Sequence, residues 1–307
     1  MVGMSMRGET TPNLRARIMN TRKMHAPSLL QKISAKEVHT MNIQQDTVKH
    51  AWTSHSAFVN ALAPAGFVLA ALSGGVAVLS GVGSRLGWWY FGTGFSILRW
   101  AAVFALVGAI VSLLGGITAR PGIHRRGFYL ALAGLVIGLV VAGIPWSWLR
   151  TAQHMPHIYD ITTDPQSPPQ FVSIMPLRSG AENPATYGGP SVAAMQKTAY
   201  PDIRPMVLSM PVQDSFNLAI KAAHDMGWQI VADNPAEGRI EAVATTFWFG
   251  FKDDVVVRVS PMPTGSRIDM RSASRVGRGD IGTNAKRVRA YMAKLASMSG
   301  SEGDIGY

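Results

Sequence analysis

A long stretch of this chain has no acidic residues and contains three apolar runs. No Asp or Glu occurs between Thr47 and Tyr159, and the runs cover 58–82, 100–119 and 128–149. An α-helix rises about 1.5 Å per residue, so about 20 residues cross a hydrocarbon core of about 30 Å. Because the runs are apolar on all sides and not along one stripe, they predict a three-span membrane domain over 58–149.

The residues that flank and fill these runs support the same interpretation. Aromatic residues that favour the headgroup layer stand beside the spans: Trp88, Trp89, Tyr90, Trp100, Trp146 and Trp148. Small residues recur at spacings of four: Ala101, Ala105 and Ala109; Gly108, Ser112 and Gly116; Gly134 and Gly138. Such faces let helix backbones approach closely in lipid. They either join the three helices of one chain or join two copies in a homo-oligomer.

Basic residues near the spans predict their orientation. Lys49, Arg120, Arg125 and Arg126 fall on one side, and Arg85, Arg99 and Arg150 fall on the other. Positive residues are retained in the cytoplasm. We therefore expect a multi-pass protein of the inner (plasma) membrane with a cytoplasmic N-terminus. Its C-terminal domain would be periplasmic or otherwise extracytoplasmic.

The distribution of charge argues against a nucleic-acid partner. The net charge of +11 divides into +5 for residues 1–50, +6 for residues 51–150 and zero for residues 151–307. The excess therefore belongs to the tail and the membrane loops, where it suits topology and anionic lipid headgroups. A neutral soluble domain lacks the basic surface that grips phosphates. The chain has no cysteine, which excludes disulfides, thiolate metal sites and a cysteine nucleophile.

Two segments read as irregular. Residues 1–57 predict a disordered basic cytoplasmic tail, or in part an over-extended gene start with Met41 as the true one. Residues 150–204 are rich in Pro, Gly and Ser and predict a linker, because Pro156, Pro165, Pro168 and Pro169 prevent a continuing helix. His154, His157 and Asp160 lie there, but no regular element fixes their spacing, so we expect no metal site.

Residues 205–298 have the pattern of a compact α+β domain. The predicted order is β-α-β-β-β-β-α, with strands over 206–210, 228–233, 239–249, 254–260 and 266–275 and helices over 211–226 and 283–298. In the last strand, apolar Ile268 and Met270 alternate with charged residues, so one face should be buried and the other solvated. An antiparallel sheet with two helices on one face follows. Residues 299–307 predict a disordered tail.

The chain resembles the bacterial family catalogued as domain of unknown function 1499. The resemblance is carried by the segments DITTDPQSPPQF (160–171), IEAVATTFWFGFKDDVVVRV (240–259) and SRIDMRSASRVGRGDIGTNAKRVRAYM (266–292). It covers roughly 58–298 and includes a three-span anchor typical of one branch of that family. Tyr159 stands where family members often carry a histidine, which argues against a catalytic or metal role at that position. The resemblance implies architecture and assigns no activity.

Two charged features could carry chemistry. Residues 277–282 fit G-x-G-x-x-G, but the helix that follows is the last element and no later strand completes a dinucleotide-binding unit. A tight turn is the better interpretation, with an anion bound by Arg275, Arg278 and the helix N-terminus as the remaining alternative. The cluster of Asp253, Asp254, Arg271 and Arg275 could support acid–base catalysis in a hydrolase. Cross-strand ion pairs on a solvated face are the structural alternative.

The rings of Phe247, Trp248, Phe249 and Phe251 lie on both faces of one strand end. One set should be core, while the other covers a helix, rests on the membrane or lines an apolar pocket. Trp248, Phe249, Phe251 and Arg278 are therefore the predicted ligand-binding residues. We expect a non-enzymatic membrane-anchored envelope protein whose outward domain binds a partner or an apolar ligand. A hydrolase is the alternative, and no motif indicates a cofactor.

Overall fold

A computed structural model describes residues 28–118 and 125–300. Three long helices come first: α1 (Ser28–Arg85), α2 (Phe91–Thr118) and α3 (Arg125–His154). Residues 61–85, 91–118 and 126–154 are long and apolar enough to cross a membrane, which agrees with the three predicted spans. Residues 1–27 of the first predicted tail, residues 301–307 of the last one, and residues 119–124 with Arg120 lie outside the described residues.

Helix α1 begins well before the first apolar run. Residues 28–57, predicted as part of a disordered tail, are helical, and no Gly or Pro occurs between Ser28 and Ala63 to interrupt them. The chain divides into two compact units, Met1–Val59 and Asn60–Tyr307.

Small residues pack the three helices of a single chain together. Ala101, Ala105, Ala109, Gly108 and Ser112 of α2 are buried. A Cβ on Gly108 would lie 2.8 Å from the backbone nitrogen of Ala70 in α1, and one on Gly138 of α3 would lie 2.5 Å from the carbonyl oxygen of Ala105. The sequence left open whether these small residues join the helices of one chain or two copies of the chain. The close approaches show that Gly108 and Gly138 pack helices of the same chain together.

The remaining described residues form an α+β domain, as predicted. Its elements are β1 (Asp160–Thr162), a 3₁₀ turn (Met175–Arg178), α4 (Gly189–Ala199), β2 (Met206–Leu208), α5 (Val212–Asp225), β3 (Gln229–Asn234), β4 (Arg239–Thr245), β5 (Lys252–Met262), β6 (Gly265–Ser274) and α6 (Thr283–Ser299). All strand pairs are antiparallel, in the order β1-β6-β5-β4-β3, and β2 pairs with β6 beside β1.

Helices α5 and α6 cover one face of this sheet. Ile240, Val257 and Met270 point toward the helices and are buried with Phe216 and Leu295. The Tyr291 hydroxyl of α6 donates a hydrogen bond to the carbonyl of Ala219 in α5 at 2.8 Å, and its ring stacks on Trp228. The apolar stripes of both helices thus supply the main core of the domain, as their helical periodicity predicted.

The predicted linker over 150–204 requires correction, because most of it belongs to the domain. Ile158 and Ile161 are buried in the main core, and residues 160–162 pair with β6. Residues 163–188, which we call the strap, then cross the sheet face opposite α5 and α6 and bury Phe171 and Ile174 against it. The prolines rule out a long helix but suit an extended segment that packs through intervening apolar residues.

Candidate functional site

The sheet face under the strap carries most of the charged residues that the sequence singled out. Side chains alternate along a strand, so the neighbours Asp253 and Asp254 point to opposite faces. Asp254 is fully buried under the strap and accepts hydrogen bonds from Arg178 Nη1 at 2.5 Å and Arg275 Nη2 at 2.7 Å. Asp253 faces the helices and accepts a hydrogen bond from Arg287 Nη2 at 2.5 Å. The two carboxylates therefore do not form one catalytic pair.

Arg271 lies at the centre of this covered face and is fully buried. Its Nε and Nη2 donate to the two carboxylate oxygens of Asp160 at 2.9 and 2.7 Å. It also donates to the carbonyls of Pro169 at 3.2 Å and Ala185 at 2.6 Å, and its guanidinium lies 4.7 Å from the ring centroid of Phe171. Arg271 of β6 thus binds both β1 and two separate positions of the strap, residues 169 and 185. It does so through the planar set of N–H donors that arginine provides.

Glu241 of β4 fixes the middle of the strap. Its carboxylate is fully buried and accepts hydrogen bonds from the backbone N–H groups of Val172, Ser173 and Ile174 at 3.0, 2.9 and 2.9 Å. Arg239 supplies an ion pair to the same carboxylate. Three amides and one guanidinium compensate the burial of this charge, which would otherwise be costly.

At the end of the covered face that lies away from Asp254, two arginines share two carboxylates. Arg258 Nη2 and Arg267 Nη2 each donate to Asp164 at 3.0 Å, and both donate to Asp269 at 2.9 Å. Cross-strand ion pairs are present on this face, as the structural alternative predicted. The prediction that the face is solvated is wrong. The strap removes much of this face from water, so the pairs act inside the domain.

Tyr187 and Arg178, both on the strap, carry buried polar atoms without a hydrogen-bond partner among the described residues, the Tyr187 hydroxyl and Arg178 Nε. The Tyr187 ring is half-buried against the guanidinium of Arg271. Burial, together with the negative charge of Asp160, raises the pKa of Tyr187 to about 12 although Arg271 acts in the opposite direction. The hydroxyl therefore stays protonated at neutral pH.

The N-terminus of α6 is capped from within the chain. The carboxylate of Asp280 accepts hydrogen bonds from the N–H groups of Gly282 at 3.0 Å and Asn284 at 2.5 Å. Burial raises the pKa of Asp280, whereas these amide bonds lower it. Arg278 is exposed, and Arg275 is occupied by Asp254. Asp280 therefore occupies the helix end at which the sequence left an external anion as an alternative, and that alternative stays a prediction.

A second feature is the loop of residues 246–251 between β4 and β5, which we call the aromatic loop. Trp248 Nε1 donates to the carbonyl of Val78 in α1 at 3.1 Å, and its ring meets Trp148 of α3 edge-on. Phe249 is buried with Ala77, Leu98 and Ala101. The loop therefore inserts between the ends of the three helices, which was one of the arrangements that the sequence left open for these rings.

Additional contacts hold the domain against the helix ends. Arg85 Nη1, in the last turn of α1, donates to the carbonyls of Thr246 at 3.3 Å and of Phe247. Phe251 packs edge-on against Phe91 at a centroid distance of 5.4 Å. The Tyr90 hydroxyl donates to Glu182 of the strap at 2.5 Å. Both the sheet and the strap are thus fixed to the same end of the helices.

The site residues predicted from sequence have different positions. Asp254, Arg271 and Arg275 lie under the strap, Asp253 lies on the helix face, and Arg278 is exposed. Trp248, Phe249 and Phe251 contact the helices. No group of three His, Asp or Glu side chains arranged to hold a metal occurs in residues 28–118 and 125–300. Catalysis by the charged cluster and ligand binding by the aromatic set stay predictions.

Sequence reasoning weighed Asp160 only as a metal ligand and gave no role to Arg178 or Glu241, although each of the three forms buried ion pairs in the structure. Asp160 and Arg178 lay in the predicted linker, and Glu241 sat in an apolar strand. An isolated charge in a strand that is otherwise buried was the one available signal, since such a charge needs a partner. Arg239 lies two residues away on the same strand, but the three backbone amides that Glu241 also binds lie 67 to 69 residues away, where the sequence offers no guide.

The comparisons with known proteins match the part of the chain that carries this face. Residues 160–295 match the family described as "Protein of unknown function (DUF1499)". No curated protein matches the chain. The matched range begins at Asp160, the partner of Arg271, and ends in α6, so it includes β1, the strap and the whole sheet. The resemblance to the DUF1499 family is therefore confirmed for the C-terminal α+β domain of this chain.

Proposed function

We propose that this chain is a membrane-anchored protein of the inner (plasma) membrane whose α+β domain binds a protein partner on the extracytoplasmic side. The observation that carries the proposal is an apolar patch on the outer side of the strap. Val172, Met175 and Leu177 are 53%, 45% and 50% exposed. Their neighbours Phe171, Ile174 and Arg178 are buried against the sheet.

The patch is presented by a rigid segment. Glu241 holds the three amides of residues 172–174, and Arg178 is tied to Asp254 and to the carbonyl of Asn183 at 3.0 Å. A surface that is ordered before binding loses less conformational entropy when a partner arrives. Several exposed apolar side chains within one short segment favour an interaction site.

The fixed mounting of the domain supports the same function. The aromatic loop and the Tyr90–Glu182 contact hold the domain against the helix ends, so the strap keeps one orientation relative to the spans. A partner in the same membrane or beside it would therefore find the patch at a fixed distance from the membrane surface. The neutral charge of residues 151–307 favours apolar and shape recognition over electrostatic recruitment.

Site-specific photo-crosslinking in living cells tests this proposal. A benzophenone amino acid replaces Met175 in the full-length chain, and the same residue replaces the exposed Lys221 of α5 as the matched control. We expect a discrete protein adduct from position 175 that is absent from position 221. No protein adduct at 172, 175 or 177, or equal adducts at 221, would remove the proposal. A lipid or other small apolar adduct at 175 would replace it with the apolar-ligand alternative.

Sidedness has its own test. Reporter fusions after Gly300 should read as extracytoplasmic, and fusions at Pro121 between the second and third spans should read as cytoplasmic. The bias of Lys49, Arg120, Arg125 and Arg126 over Arg85, Arg99 and Arg150 supports this orientation. The reverse result at both positions would overturn the extracytoplasmic location of the α+β domain. Partner binding would not be affected, because the crosslinking experiment tests it separately.

A further inference from the structure

Phe247, in the aromatic loop, is 92% exposed although its neighbours are packed. Phe249 is buried among the helix ends, and Trp248 donates a hydrogen bond to the carbonyl of Val78. Arg85 donates to the carbonyl of Phe247 itself. The backbone at this position is therefore fixed, and the ring projects from a rigid support. Burying such a ring stabilises a protein, so its exposure requires an explanation.

The depth of the loop follows from its contacts with α1. Val78, which accepts the bond from Trp248, lies inside the candidate span of residues 61–85. Seven residues separate Val78 from Arg85, which is about 10 Å along a helix. Because the carbonyl of Phe247 accepts a hydrogen bond from Arg85, the Phe247 backbone lies at the level where the first span ends.

Other exposed rings lie at the same end of the helices. Trp88 and Tyr90 stand between the first two spans, and Trp146 lies near the end of the third, where Arg150 packs on its ring at 5.6 Å. Large aromatic rings and arginines at the ends of spans are typical of the headgroup layer. Phe247 shares the level of this belt but is contributed by the α+β domain.

We propose that the Phe247 side chain is inserted into the boundary between acyl chains and headgroups of the bilayer that holds the three helices. The aromatic loop then has two functions: Trp248 and Phe249 contact the helices, and Phe247 contacts lipid. The α+β domain is itself a membrane-contacting domain under this proposal. The inference rests on the helices crossing a membrane and does not depend on partner binding by the strap.

The absence of cysteine makes a direct test practical, because a single introduced cysteine is the one labelling site. Phe247→Cys carries a nitroxide spin label in the full-length protein, reconstituted in lipid nanodiscs. The label's collision rates with oxygen, which enriches in the bilayer, and with a water-soluble nickel chelate are measured. Ala236→Cys, in the exposed turn at the other end of β4, is the matched aqueous control, and Leu106→Cys, an exposed position within α2, is the lipid reference.

We expect a ratio of oxygen to nickel accessibility at position 247 well above that at 236 and approaching that at 106. A ratio equal to that at 236 would place the ring in water and overturn the proposal. Low accessibility to both reagents, with spin–spin broadening that grows with protein density in the bilayer, would assign the ring to a second copy and also overturn it. A ratio at 106 equal to that at 236 would remove the spanning helices on which the inference rests.

Discussion

Arginine is the residue type on which the covered face of the sheet depends. Arg271 donates four hydrogen bonds to Asp160, Pro169 and Ala185, and Arg178 and Arg275 converge on Asp254. A lysine could neutralise the same carboxylates but could not contact two oxygens in one plane. The strong charge-assisted bonds explain how a face with so many buried charges is compatible with a folded domain.

The first prediction concerns Arg271→Lys. The change keeps the charge but loses the bidentate contact with Asp160 and a bond to the strap, so the free energy of unfolding should fall by about 2–4 kcal/mol. Arg289→Lys is the matched control, because Arg289 also forms a bidentate pair, with Asp202, but is exposed. That control should lose about 0–1 kcal/mol. Urea unfolding of the full-length protein in detergent measures both, and equal losses would contradict the expectation.

The second prediction concerns Tyr187→Phe and pH. At neutral pH the change removes a buried hydroxyl without a partner, so stability should be unchanged or slightly higher. The folded-state pKa of Tyr187, about 12, lies above its ordinary value of 10.0. The ionisation of Tyr187 therefore leaves the stability of the wild type unaffected below pH 10 and lowers it as the pH rises from 10 through 12, because the unfolded state loses its proton first. Thermal unfolding between pH 8 and pH 11 should show the variant gaining on the wild type above pH 10, and a constant difference would contradict the assignment.

Among the structural elements, the strap is the one that covers the charged face of the sheet. It contributes a single short 3₁₀ turn yet covers the sheet face opposite α5 and α6. Its extended backbone leaves amides that need partners, and Glu241 receives three of them. A strand residue and an irregular segment thus satisfy one another's hydrogen-bonding requirements.

The third prediction is that Glu241→Gln releases the middle of the strap. The amide keeps one acceptor oxygen but loses the charge that pairs with Arg239, so we expect a loss of about 2–4 kcal/mol and faster hydrogen exchange at residues 172–174. Glu237→Gln is a close control, because Glu237 is exposed and pairs with the same arginine. Exchange at 172–174 that is unchanged in the Glu241 variant would show that the carboxylate does not hold the strap.

Within the unit of residues 60–307, the α+β domain is seated on the ends of the helices through the aromatic loop. This contact uses small residues on the helices and large rings on the domain. A Cβ on Gly81 of α1 would lie 2.1 Å from Cδ1 of Trp248, so the ring occupies the space that a larger residue would fill. Gly75, two turns earlier, has no atom near the corresponding position.

The fourth prediction follows from this pair of glycines. Gly81→Ala should displace Trp248, increase hydrogen exchange at residues 246–251 and lower the midpoint of thermal unfolding, because the indole ring cannot move aside without losing its bond to Val78. Gly75→Ala should leave both quantities unchanged or slightly improved, since alanine is the better helix former. The same exchange pattern in the two variants would mean that the aromatic loop is not seated as described.

The sequence alone determined the properties that depend on local pattern. Long uncharged runs specify the spans, because a helix in lipid must be apolar on every side. Alternation and helical periodicity located all five strands and both helices predicted after Pro205, because burial repeats every second residue in a strand and every third or fourth in a helix.

Which surfaces are covered and which charges meet depends on how distant parts of the chain pack together. Asp254 and Arg178 are separated by 76 residues, and Arg85 and Phe247 by 162. The proline-rich segment looked like a linker because its apolar residues follow no period. It is nevertheless part of the domain, because the buried charges and apolar residues of the sheet beneath it need partners. Contacts of this kind are selected by the path of the whole chain, and no local pattern of residues encodes that path.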